Sequence, residues 1–349
     1  METKTEYIEP KIAYNDVKYK RFNDSLDEGG EITIAGYSAL PSYILSELDP
    51  LAYAEAYEEF NAQNFQELQD LVFNHYPSII AYNYRRSEKS DDASDAIKKL
   101  LLLKDTWESI AFVIYAIVLG EIRYKSINIQ GCRIFEKVVF SADRLLSNAI
   151  KTKIQNIKAI INYSVSNNLG LKCEEISLVL LEKLLKLQDI RNNISHHAMP
   201  TKEEAELELR SVTPLFKELL EETRFFENCE ILRFENFSKS QFKCEVFKGH
   251  ALNKEFEFHK FEKFKSYIMT LGEETIFIKW DQEVFSLSPF LHFKKDSKGH
   301  ETYLSFFKGK KDEKYLFEPI KLRTEISFPH LDDRFNSEKN QLLSLIVPN

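Results

Sequence analysis

Apolar residues recur at three- and four-residue spacing through the middle of the chain and then give way to strict alternation. This predicts a helical region followed by a β-rich one. The first long segment, about 96–124, carries Leu100, Leu103, Trp107, Ile110, Ile114 and Ile117 on one face. The second, about 134–164 with one break allowed, carries Phe135, Val138, Leu145, Ile150, Ile154, Ile157 and Ile161. The third, from Glu174 to about His197, carries Ile176, Leu180, Leu184, Leu187 and Ile190, and Asn167-Asn168-Leu169-Gly170 ahead of it suits a stop. Thr201-Lys202-Glu203-Glu204 fits a capping box that opens a fourth helix running to about Phe226, with Pro214 as a kink.

The ends differ from this centre. Leu51, Ala54, Tyr57 and Phe60 predict a helix over 48–71, with Asp49-Pro50 as its cap and first turn. Before it, Gly29-Gly30 and Glu31-Ile32-Thr33-Ile34 read as a turn and a short strand or hairpin. The stretch 85–95 is polar and reads as a linker or helix-start loop. After 228, runs such as Phe242-Lys243-Cys244-Glu245-Val246 and Thr275-Ile276-Phe277-Ile278 are strands between polar turns. The expected class is α+β: a mixed N-terminal region over 1–95, an all-helical bundle over 96–227 and a β-rich domain over 228–349.

Charge narrows the function. A net charge of −8 argues against a protein that coats nucleic acid by bulk electrostatics, so any such contact is local. The acidity is concentrated in the first hundred residues. A polyanion would favour the mildly basic 239–325 or the helix from Arg144 to Lys158. Cys132, Cys173, Cys229 and Cys244 show no zinc spacing and read as reduced, buried thiols of a cytoplasmic protein. The first residues lack the apolar run of a signal peptide. The apolar run Ile110 to Gly120 is too short for a membrane span, so no membrane partner is expected.

The chemistry-bearing run is Arg191-Asn192-Asn193-Ile194-Ser195-His196. At about 100° per residue, Asn192 and His196 are i and i+4 neighbours, with Arg191 at the edge of their face. An Asn one turn before a His can hold the imidazole in one tautomer. Together these groups suit RNA scission through the neighbouring 2′-hydroxyl. His trades a proton near neutrality and the planar Arg fork stabilises charge on the phosphate. No metal or cofactor is needed for that step.

This Arg-Asn-x-x-x-His run at a helix end resembles the R-x4–6-H motif of the HEPN superfamily, over roughly residues 96–226. The resemblance implies a bundle of four or five helices, and a homodimer through that bundle in which two motifs form one composite RNA-cutting site and leave a cyclic phosphate. It assigns catalysis to Arg191, Asn192 and His196, with His197 also within the permitted spacing and Glu108 on the first bundle helix as an assisting acid. It also implies a toxin or antiphage effector, with RNA as substrate and an antitoxin or regulatory protein as a further partner.

Two other readings compete. Arg191 and the two histidines can be a solvated polar helix end, where cations are favoured in any case. A HEPN fold can also serve as a non-catalytic dimerisation, adaptor or nucleotide-binding module. The scattered His75, His250, His259, His292 and His300 lack second ligands at useful spacing. The aromatic and lysine run 256–264 reads as strand packing before base stacking, Lys308-Gly309-Lys310-Lys311-Asp312 as a basic β-turn, and Asp281 as a hairpin turn.

Overall fold

The computed structural model describes residues 16–135, 138–195, 201–251, 255–271, 275–295, 302–311, 314–319, 326–328 and 333–348. The chain divides into one unit up to Gln69 and another from Asp70, and its class is α+β. In the first unit α1 (Asp16–Asp27) leads to the hairpin β1 (Ile32–Ile34) and β2 (Tyr37–Ala39), then α2 (Pro41–Leu48) and most of α3 (Pro50–His75). Ala35 and Gly36 both take positive φ, the left-handed pair that a two-residue hairpin turn requires. Asp49 separates α2 from α3: its N–H closes on Leu45, and its carboxylate accepts from the Ala52 N–H at 3.0 Å. Phe22 fills the small core, edge-on to Tyr53 and Tyr57 at 5.1 and 5.0 Å.

The second unit begins with α4 (Ser78–Lys89) and α5 (Ala96–Lys125). Asp95 caps α5 by accepting from the N–H groups of Ile97 and Lys98. Every residue of α5 from Ser109 to Arg123 is buried. A helix apolar on all sides must be surrounded, and α5 is. It packs against α4, against α7 (Ile150–Ser166), α8 (Leu178–Ser195) and α9 (Lys202–Glu221), and against the C-terminal α11 (Asp333–Ile346). Contacts close the ring α5–α7–α8–α9–α5, a four-helix bundle. The Thr201 capping box forms as the sequence predicts: Oγ1 accepts from the Glu204 N–H at 3.2 Å, and Glu204 accepts from the Thr201 N–H at 2.7 Å.

The expected helix over 134–164 is corrected at its start. Residues 133–135 form β3 (Arg133–Phe135), paired with β4 (Val138–Val139), and Ser141 then caps the single turn α6 (Ala142–Leu145) before α7 begins. The β-branched and aromatic residues that looked like a helical face alternate in a hairpin instead. The polar 85–95 stretch is helical to Lys89 and continues as a 3₁₀ turn over Asp91–Ser94.

Two antiparallel sheets cover the remaining sides. One has the order β7 (Glu255–His259), β6 (Gln241–Val246), β5 (Cys229–Ser238), β8 (Ile276–Trp280), β9 (Glu283–Ser286), with α10 (Lys265–Met269) supplying Ile268 to its core. Asp281, at φ 50°, makes the β8–β9 hairpin turn. The other runs β10 (Leu291–Lys295), β11 (Thr302–Lys311), β12 (Lys314–Pro319), β13 (Ile326–Phe328). Sheet and helix meet closely: α5 lies against β9, and Phe112 of α5 sits 4.3 Å from the Phe306 ring of β11. Among the described residues no helix is long and apolar enough to cross a membrane.

Buried charges pin these layers. The Glu121 carboxylate on α5 accepts from the N–H groups of Lys172 and Cys173, opening a 3₁₀ turn, and from Lys125 Nζ at 2.7 Å. Arg123 reaches Glu338 of α11 at 3.1 Å, and Glu338 in turn accepts from the Ser288 hydroxyl. The α5–β9 approach is so close that a Cβ on Gly120 would stand 2.6 Å from the Ser286 carbonyl oxygen. Gly120→Ala therefore destabilises the protein by about 1–3 kcal/mol, measured as a lower urea midpoint with an unchanged m-value.

Candidate functional site

A cleft of about 320 Å³ opens where α5, the start of α7, the end of α8 and β11 converge. Helix α5 contributes Glu108 and Phe112, and α8 contributes Gln188 and Arg191, one turn apart on one face. The first turn of α7 contributes Lys151, behind Asn148 and Ala149. Ala149 is the N-cap and has no side chain to bond the free N–H groups of that turn. Lys308 enters from β11 at the bulge between Phe307 and Gly309, which re-aims the strand. It is a strand residue, where the basic run had been expected to turn.

Arg191 Nε lies 3.7 Å from Glu108 Oε1, so residues separated by most of the bundle sequence share one cleft. The two differ in exposure: 38% of the Arg191 side chain is accessible, but only 14% of that of Glu108. Burial pushes the Glu108 carboxyl above its usual range, while Lys104, 3.5 Å away, and Arg191 pull it back. Lys151 is also paired with Asp189 at 2.8 Å, and Lys308 with Glu318. Three cations, each already beside a carboxylate, line the cleft at an uncapped helix start, a set of donors that can also take an anion such as a phosphate. Asn192 belongs to α8, but its side chain lies outside the described residues, as do His196 and His197 entirely.

Beneath the cleft sits a group that sequence reasoning passed over. Lys153 is fully buried one turn into α7, its ammonium donating to the Ser147 carbonyl. The rings of Phe112, Tyr115 and Phe307 surround it at 5.3, 5.0 and 5.8 Å. Cation–π attraction offsets part of the desolvation. Burial still pushes the ammonium down to about 7. Its neighbours are fixed by a buried chain in which Tyr115 donates to the Leu145 carbonyl at 2.9 Å, Asn156 donates to the Tyr115 hydroxyl, and Arg144 donates to Asn156. The available signals were slight. Gln188 lies three residues before Arg191, and Lys153 is a lysine on the apolar stripe of an amphipathic helix.

No family model matches this chain, and no match was found among curated proteins or solved structures.

Lys153 gives a signed pH dependence. Its folded value lies below the unfolded one, so the unfolded chain binds more protons between about pH 7 and 10, and this site's stability contribution rises across that window. Lys153→Met removes the penalty. Its melting temperature should exceed that of the wild type at pH 7, by an amount worth on the order of 2–4 kcal/mol, and the gap should narrow steadily by about pH 9.5.

Proposed function

We propose that the protein is a HEPN-type, metal-independent endoribonuclease of the cytoplasm, a toxin or antiphage effector that cuts RNA at a site completed by a second copy. The observation that carries this is the convergence of Arg191 with Glu108 in one cationic cleft at the uncapped start of α7. A scissile phosphate in that cleft would face the Arg191 guanidinium and the Lys151 and Lys308 ammonium groups, which stabilise charge as it builds on the non-bridging oxygens. His196 takes the 2′-hydroxyl proton, the 2′-oxygen bonds to phosphorus, and the bond to the 5′-oxygen breaks as a His196 imidazolium of the paired copies gives that oxygen a proton, leaving a cyclic phosphate and a 5′-hydroxyl. Asn192 orients the imidazole. Glu108 positions the guanidinium through their ion pair, and burial lets its carboxyl hold a proton nearer neutrality than an exposed one would.

The bundle interface pairs two copies, and a restraining antitoxin or other regulatory protein keeps the effector silent. Growth arrest on expression of the wild type, lost with Arg191→Ala and with His196→Ala, is the outcome expected. Purified Arg191→Ala should cut RNA about 100- to 1,000-fold more slowly. Glu108→Gln should cost about tenfold or more and alter the pH profile. Equal growth and equal cleavage by all forms would refute the nuclease.

A further inference from the structure

A second cleft, of about 560 Å³, lies between the β3–β4 hairpin and the outer face of α7. That volume is within the range of about 300–1,000 Å³ common for ligand sites. Its walls are chemically distinctive. Phe135 on the hairpin is 55% exposed, and Tyr163 on α7 is half-buried. Neither ring packs on another aromatic ring among the described residues. Arg133 is exposed, with no carboxylate in ion-pair reach among the described residues, and Lys158 lies on the opposite wall, 3.0 Å from Glu182 of α8. Among the described residues no acidic side chain lines the cleft. Asn162, also exposed, adds an amide that can read a base edge. The hairpin is brought close by Gly131, whose missing Cβ would stand 3.1 Å from the Tyr163 hydroxyl.

The two clefts lie along one helix. Lys151, Gln155, Lys158 and Asn162 follow the i, i+4, i+7, i+11 stripe of α7, so the second cleft begins about 6 Å from the first along the helix axis. Arg144 donates to Gln155 Oε1 at 2.8 Å and adds a further positive charge beside that stripe. A strand whose phosphate occupies the Arg191 cleft would thus lay its neighbouring nucleotides along α7 and reach the exposed rings within a few nucleotides. Base-on-aromatic stacking with flanking cations is how single strands are held without a fixed sequence. An apolar protein partner would leave Arg133 desolvated with no opposite charge in reach among the described residues.

We propose that the groove between the β3–β4 hairpin and α7 is a nucleobase subsite for single-stranded RNA. Phe135 and Tyr163 stack a base that flanks the cleavage position, and Arg133 and Lys158 hold its phosphates. This deepens the nuclease assignment and rests on it for the identity of the polymer. It makes the substrate an unpaired segment, because a base held in a duplex cannot reach the rings.

The test uses the full chain and a fluorescent, mixed-sequence single-stranded RNA of about 12 nucleotides, followed by anisotropy, with the matching duplex as control. Phe135→Ala should weaken single-strand binding roughly 5- to 30-fold, and Phe135→Trp should restore it. Arg133→Ala should reduce the salt slope by about one. Ultraviolet crosslinking should mark Phe135 or Tyr163. Unchanged affinity in Phe135→Ala, with crosslinks only elsewhere, overturns the subsite. So does a change of sedimentation behaviour with RNA affinity intact, which would mean that a second copy covers the groove. RNA that binds through Phe135 but is never cut leaves the subsite standing and removes the nuclease. RNA that is cut equally by wild type and Phe135→Ala, with equal affinity, does the reverse. Absence of both binding and cutting overturns both.

Discussion

Helix α5 has no solvent face between Ser109 and Arg123, and that constraint organises the unit from Asp70 onward. A helix of this kind cannot be stable until other elements enclose it, because its own backbone bonds do not repay the apolar surface left in water. Three bundle helices, α4, α11 and strand β9 supply the enclosure. The polar atoms on α5 follow from the same demand. Glu121 and Arg123 are tolerated in the interior because each meets a fixed partner, the first at the N–H groups of Lys172 and Cys173, the second at Glu338.

The candidate site lies where the enclosure ends. Glu108 lies one residue before the fully buried stretch of α5, at the margin where side chains can still reach solvent, and the end of α8 arrives at the same margin with Arg191. The start of α7 adds free backbone N–H groups and Lys151, so the positive ends of side chains and of a helix dipole are collected in one place. An otherwise acidic chain thereby keeps a local cationic cleft. Lys153 beneath it, ringed by Phe112, Tyr115 and Phe307, is a cost to stability at neutral pH that aromatic faces and one carbonyl partly offset.

Much of the helical order was legible in the sequence because it rests on local signals. The apolar stripes of α5, α7 and α8, the Thr201 capping box and the Asp281 turn all act within a few residues. The β3–β4 hairpin was not, since Ile134, Phe135, Val138 and Val139 satisfy a helical stripe and a strand alternation equally over so short a run. Nor was the depth of α5: a stripe predicts one buried face, and only the number of packing partners makes all faces buried. Of the site, Arg191 stood out by its motif. The distance between Arg191 and Glu108, the bulge that turns Lys308 inward and the aromatic box around Lys153 all depend on tertiary contacts between segments far apart in the chain.

The nuclease assignment is tested most directly by the chemistry of the RNA ends. Purified protein incubated with single-stranded RNA in excess chelator, with fragments mapped by mass spectrometry, should yield 2′,3′-cyclic phosphate and 5′-hydroxyl ends, formed about 100- to 1,000-fold more slowly with Arg191→Ala. Intact RNA, or fragments ending in a 3′-hydroxyl and a 5′-phosphate, would contradict the account.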